Sequence, residues 1–143
     1  MKIAIGSDHA GYQLKTRMKK HLGESGYEIF DVGCHSEDSV DYPDIAHEVA
    51  KAIQEKTADR GVLICGTGIG MCITANRHKG IRATQIHSHQ TAELSRKHND
   101  SNLACFGART ETEEKNLEYL KIWLETAFEG GRHQPRLDKI EEI

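Results

Sequence analysis

The sequence predicts an α/β fold, a three-layer sandwich with a five-stranded, mainly parallel sheet at its centre. Short apolar runs alternate with longer amphipathic segments along the whole chain of 143 residues. One run, Gly61–Cys65, is apolar without alternation, the pattern of a strand covered on both faces. No repeat or low-complexity tract breaks the series.

Lys2–Gly6 reads as the first strand. Ala10–Glu24 follows as a helix, with Tyr12, Leu14, Met18 and Leu22 at helical spacing and basic residues between them. Gly26 precedes Tyr27–Val32, a second strand of aromatic and β-branched residues, and Gly33–Asp41 is a polar loop. Pro43 suits the start of a helix whose stripe is Ile45, Ala46, Val49, Ala50 and Ile53. Gly61–Cys65 runs straight into Gly66-Thr67-Gly68-Ile69-Gly70, and a helix is expected to about Arg77. Ile81–Ile86 is a weaker fourth strand, Gln90–His98 a helix, and Leu103–Phe106 a fifth strand closed by Gly107. Glu113–Phe128 is a helix turning Leu117, Leu120, Trp123, Leu124 and Phe128 inward. From Glu129 the composition changes abruptly, through two glycines and a proline, to a short charged end. Residues 1–143 thus form one domain of Rossmann-like design, in which ligands bind beyond the carboxyl ends of the strands.

Composition narrows the function. A chain of this size buries about two-thirds of its surface on folding and needs no disulfide staples. With 37% hydrophobic and 29% charged residues it is a globular sequence, not a disordered one. Nineteen basic against 22 acidic residues give a net charge of −3, which argues against a general nucleic-acid footprint. No apolar run approaches the roughly 20 residues of a membrane span. The apolar stretch in Met1–Gly6 is too short for a signal peptide, so the cytoplasm is the expected location. Cys34, Cys65, Cys72 and Cys105 form no C-x-x-C pair and read as reduced thiols.

Chemistry-bearing residues gather at the strand ends. Gly6-Ser7-Asp8-His9-Ala10-Gly11 puts a carboxylate and an imidazole after the first strand, where Asp8 equally suits a helix cap. It is not a P-loop, because Tyr12-Gln13 replace the Lys and Ser/Thr that such a loop needs. After the third strand, Gly66, Gly68 and Gly70 clear side chains from a loop that leads into a helix N-terminus, an anion site. The same field favours the thiolate of Cys65. The alternative is a buried cysteine before a structural turn. The pattern is not G-x-G-x-x-G, and no acidic residue ends the next strand to hold a ribose, so a dinucleotide site is disfavoured. His87 and His89 lack partners for a metal. Arg132, His133 and Arg136 suit a phosphate, or else form a solvated basic patch. Together these residues suggest a small phosphorylated substrate and acid–base chemistry.

Several segments, in this order and spacing, resemble the type B ribose-5-phosphate isomerases of the wider family that includes galactose-6-phosphate isomerase subunits. They are Gly6–Gly11, Asp41-Tyr42-Pro43-Asp44, Ile64–Gly70, Ala75-Asn76, Gly80-Ile81-Arg82-Ala83, Ser95-Arg96-Lys97-His98-Asn99-Asp100 and Glu129-Gly130-Gly131-Arg132-His133. The resemblance implies that Cys65 moves a proton between C1 and C2 of an open-chain sugar phosphate, with N–H groups of Gly66, Gly68, Ile69 and Gly70 stabilising the enediolate. It places Thr67 beside the reacting oxygens and makes His98 the acid–base group that opens the furanose ring. Asp8 would bind sugar hydroxyls, with Tyr42 and Asn99 lining the pocket. His9, Arg132 and Arg136 would form the phosphate set, with Arg109 a further candidate there and His133 a further substrate-binding residue. No metal or organic cofactor is implied. The family forms homodimers, sometimes dimers of dimers, with the active site between subunits, and the tail 129–143 is expected to pack on the partner. The segments Met71–Thr74 and Gln85–His89 depart from the family pattern and bear on which sugar fits.

Overall fold

Alternating side chains of the strands sort onto the two faces of one sheet, and each face is covered. The computed structural model describes every residue, Met1–Ile143. Its strands are β1 (Lys2–Ser7), β2 (Glu28–Gly33), β3 (Arg60–Cys65), β4 (Ala83–Gln85) and β5 (Leu103–Gly107). They lie in the order β2-β1-β3-β5-β4, and every pairing is parallel. The helices are α1 (Tyr12–Glu24), α2 (Tyr42–Gln54), α3 (Ile69–Ala75), α4 (His89–Lys97), α5 (Glu113–Glu125) and α6 (Gln134–Ile140).

Ile3, Ile5, Val62, Ile64 and Phe106 face α1, α4 and α5, where Leu14, Met18, Ala92, Leu120 and Trp123 complete one core. Ala4, Leu63, Cys65, Leu103 and Cys105 face α2 and α3 with Val49, Met71 and Ala75 in the other. Trp123 is fully buried, and its Nε1 donates to Ser101 Oγ at 2.7 Å. The accessible surface is 7494 Å², close to the roughly 7,400 Å² that chain length alone predicts. No helix is long and apolar enough to cross a membrane.

The departures from the sequence reading lie mostly at element ends. A 3₁₀ turn, His9–Gly11, precedes α1, because Asp8 Oδ1 accepts the Gly11 N–H at 3.1 Å. The fourth strand keeps only three residues. It is an edge strand, and its approach is fixed by side chains: Asn102 Oδ1 accepts Arg82 N–H and Asn76 Oδ1 accepts Ala83 N–H, each at 2.8 Å. α3 stops at Ala75, two residues short of Arg77. α4 starts at His89 because Ser88 forms a capping box with Thr91. α5 stops at Glu125, since Thr126 turns extended and its carbonyl accepts Arg96 Nε at 3.3 Å. Phe128 therefore lies outside the helix, half-buried.

The charged end also folds. Gly130 and Gly131 adopt φ of +67° and +53°, a 3₁₀ turn covers Gly131–His133, and α6 begins with Pro135 in its first turn. The tail is held by its own chain. Glu129 N–H donates to Lys97 O at 3.1 Å, Leu137 is buried, and Arg82 Nη1 meets Glu141 Oε1 at 3.0 Å.

Candidate active site

Parallel strands put all their carboxyl ends on one edge of the sheet, and the adjacent strands β1 and β3 send their chains on to opposite faces. A doubly wound sheet opens its binding crevice at such a point. Asp8 and Cys65 flank it. Asp8 is buried, and its N–H donates to Ile64 O at 3.1 Å, so the carboxylate is fixed one residue from the thiol-bearing strand end. The cap reading of Asp8 holds, and it holds beside the crevice.

Cys65 is 5% exposed and its Sγ accepts the Gly68 N–H at 3.1 Å. That bond needs Gly68 at φ +79°, where a Cβ would stand 3.1 Å from the Phe106 carbonyl carbon. The loop is pinned to β5 by Ala108 N–H on Cys65 O and Arg109 N–H on Gly66 O, both 2.9 Å. Tyr42, at the start of α2, lies against Gly70 so closely that a Cβ there would come within 2.5 Å of its ring. The exposed Arg109 runs over Gly66. Thr67 is exposed at the loop tip. Its Oγ1 accepts Ile69 N–H at 3.2 Å and its carbonyl accepts Gln85 Nε2 at 2.8 Å. His9 Nδ1 accepts Val40 N–H at 3.3 Å, which fastens the loop before α2 over the crevice. Asp8, His9, Tyr42, Gly66, Gly68, Ile69, Gly70 and Arg109 are thus gathered around Cys65 and Thr67. Of the atypical segments, Met71 points into the core and Gln85 touches the loop.

Two other thiols lie behind this edge. The Cys72 thiol is pulled down to about 7, chiefly by the neighbouring Cys105 thiol, and burial opposes the shift. The fully buried Cys105 is pushed well above the usual thiol range, first by that burial.

His98, Asn99, Arg132, His133 and Arg136 form a second group, lining a cleft of about 360 Å³. His98 caps the end of α4, which runs back to the amino edge of the sheet. Leu103 of β5 pairs with Gly61, whereas Cys65 pairs with Gly107 at the far end. A single chain therefore holds the expected site as two halves at opposite edges. In the second half the rings of His98 and His133 stack, with centroids 4.4 Å apart and planes inclined by 19°. Donor atoms of His98, Glu129 and His133 fall within 4.8 Å of one another, a divalent-cation set by type. Nearly parallel rings cannot both aim an in-plane lone pair at one ion, and Arg132 and Arg136 share the cleft. These two arginines make the cleft a site for an anion instead.

The sequence reading missed two partners here. Glu129 lies four residues before His133 and within 3.4 Å of its Nε2. Asp100, at φ +45°, meets Arg96 Nη1 at 2.8 Å and Arg82 Nη2 at 3.5 Å, which fixes the turn carrying His98 and Asn99. The i,i+4 spacings of Glu129 with His133 and Arg96 with Asp100 were the available signals.

The comparisons agree along the whole chain. A family model described as Ribose/Galactose Isomerase matches residues 3–140. Ribose-5-P isomerase B of Listeria innocua is 46% identical over 143 residues, covering 100% of this chain and 97% of that protein. Ribose-5-phosphate isomerase B of Escherichia coli is 44% identical over 142 residues, covering 99% and 95%. Among solved structures, ribose-5-phosphate isomerase B of Clostridium thermocellum superposes with a TM-score of 0.98 at 46% identity, covering 99% and 96%. The Mycoplasma genitalium enzyme with bound ribulose 5-phosphate gives 0.94 at 40% identity, covering 98% and 93%. With its five-stranded parallel sheet and its cysteine–glycine loop at the carboxyl edge, the chain belongs to the ribose/galactose isomerase family.

Proposed function

We propose that this protein is an aldose–ketose isomerase that interconverts ribose 5-phosphate and ribulose 5-phosphate. The observation that carries the reading is the Cys65 thiol at the mouth of the central strand, held by an N–H of its own glycine loop, in a chain that matches isomerases end to end. The Cys65 thiolate takes the C2 proton of the open-chain aldose, and the electron pair moves through C1 to O1, giving an enediolate. O2 then passes its proton to O1, which becomes the C1 hydroxyl, and as C2=O2 forms the Cys65 thiol returns its proton to C1, leaving the ketone and a regenerated thiolate. A sugar C–H is too weak an acid unless the growing oxyanion is stabilised, and the N–H groups of Gly66, Thr67 and Gly70 with the Thr67 hydroxyl supply that, while the Gly68 and Ile69 N–H groups hold Cys65 Sγ and Thr67 Oγ1.

His98 moves the O1 proton to the ring oxygen when the furanose opens, while Arg132 and Arg136 anchor the phosphate. In one chain these groups stand at the wrong edge. The reading therefore includes a homodimer, or a dimer of dimers, in which each copy brings its His98 half to the partner's Cys65 half. Ile69 and Ile73, 49% and 62% exposed on α3 beside the loop, give a partner apolar surface to cover. A phosphorylated metabolite suits the cytoplasm, and the reaction uses no metal or organic cofactor.

Turnover of ribose 5-phosphate by the wild type and Cys65→Ala is the test. The variant is expected to lose turnover while keeping its affinity for ribulose 5-phosphate within a few-fold. A folded wild type inactive on the pentose but active on a four- or six-carbon sugar phosphate would move the reading to that substrate, and an active Cys65→Ala would remove the base.

A further inference from the structure

Glu129 has no part in the chemistry above, yet it stands beside it. Its Oε2 is 3.4 Å from His133 Nε2 without completing a hydrogen bond, and that nitrogen has no other partner. The His133 side chain is only 8% exposed. Burying an unsatisfied polar nitrogen is unfavourable, so the ring is held there by its surroundings. What it covers is His98, stacked against it. The backbone builds the same contact. Glu129 N–H is tied to Lys97 O, the residue before His98, and Gly130 and Gly131 turn the chain so that His133 lies back over it.

We propose that Glu129 and His133 are positioning residues for His98. The carboxylate fixes the His133 ring, and that ring is the wall which sets the plane of His98. The inference rests on the acid–base role proposed for His98. A half-exposed imidazole at a helix end has several rotamers open to it, and misplacing a reacting group by about 1 Å costs on the order of 10² in rate. His133 then serves as a wall, and the exposed Arg132 and Arg136 are left to meet the phosphate.

The test joins proton NMR of the histidine rings with steady-state kinetics on ribose 5-phosphate, using Glu129→Gln, His133→Ala, His98→Ala and the Glu129→Gln/His98→Ala pair. A stacked neighbour shields ring protons, so Glu129→Gln should move the His98 Hε1 resonance toward its position in His133→Ala. Its kcat should fall about tenfold with KM within about twofold, and it should add nothing in the His98→Ala background. A His98 resonance that stays in place overturns the proposal. So does a raised KM at unchanged kcat, or losses that multiply in the double variant. A His98→Ala enzyme with full turnover removes both the role of His98 and this inference. A wild type without turnover defeats the isomerase reading alone, and the resonance then decides the positioning by itself.

Discussion

Replacing Gly68 by alanine separates two demands that the structure places on one residue. Gly68 and Gly80 share a φ of +79°, but their surroundings differ. A Cβ at Gly80 meets nothing within 4 Å, whereas at Gly68 it lies 3.1 and 3.2 Å from the Phe106 carbonyl group and 3.3 Å from the Cys105 carbonyl carbon. Those are backbone atoms of β5, which is bonded to β3 on one side and β4 on the other and cannot withdraw. The left-handed conformation alone costs an alanine about 1–2 kcal/mol. Overpacking against fixed backbone adds about 1–3 kcal/mol. Gly80→Ala should thus lower the melting temperature by about 5 °C and Gly68→Ala by about 10 °C, short of unfolding a domain of this size. Gly68→Ala also shifts the N–H that holds the Cys65 thiol, so its turnover should fall by on the order of 10² while Gly80→Ala stays near wild type. Thermal unfolding by circular dichroism and turnover of ribose 5-phosphate read both effects. Equal melting temperatures for the two variants would refute the backbone clash, and full turnover in Gly68→Ala would refute the role of its N–H.

Two further outcomes follow from groups away from the loop. His47 Nδ1 and His78 Nε2 are 2.7 Å apart, with Gln54 Oε1 on the other nitrogen of His78. Burial first, then His47 and Lys51, holds the His78 imidazole below its ordinary value. The unfolded chain takes up that proton near the usual value of about 6.5, so this contribution to stability is complete above it and drains as the pH falls through and below it. The wild-type melting temperature should drop more steeply than that of His78→Asn between about pH 7.5 and about pH 5.5, and parallel lines would contradict the coupling. In a Cys65→Ala background at neutral pH, iodoacetamide should label the half-buried Cys72 well before the buried Cys34 and Cys105, as read by peptide mass spectrometry. Equal labelling of all three would show that the Cys72–Cys105 contact does not favour the Cys72 thiolate.

Local chemistry made the fold legible. An unbroken apolar run such as Gly61–Cys65 has one good environment, a strand covered on both sides, and Pro43 marks a helix start wherever it stands. The glycine loop and its cysteine were equally readable, because alternate glycines remove side chains for a reason. Contacts made elsewhere in the chain were not readable. Arg96 ends α5 from another helix, and Asn76 and Asn102 decide how little of the fourth strand pairs. The site shows the same division. Asp8, Tyr42 and Cys65 lie near one another through the parallel connections, which the alternating pattern implies. His98 was identified only by resemblance. Its wall, His133, and the carboxylate behind it depend on a turn at two left-handed glycines that no periodicity reveals.

The separation of Cys65 and His98 to opposite edges of one sheet also governs how lesions would combine in the proposed dimer. Each pocket draws one half from each copy, so a chain defective at Cys65 and a chain defective at His98 are both inert alone. Paired with each other, they assemble one pocket with both halves intact and one with neither. Damage therefore sorts into two complementation groups set by sheet edge, with distance along the chain irrelevant. Tyr42 falls with Arg109, 67 positions away, while Asn99, only ten residues before that arginine, falls with Arg132 and Arg136 in the other group.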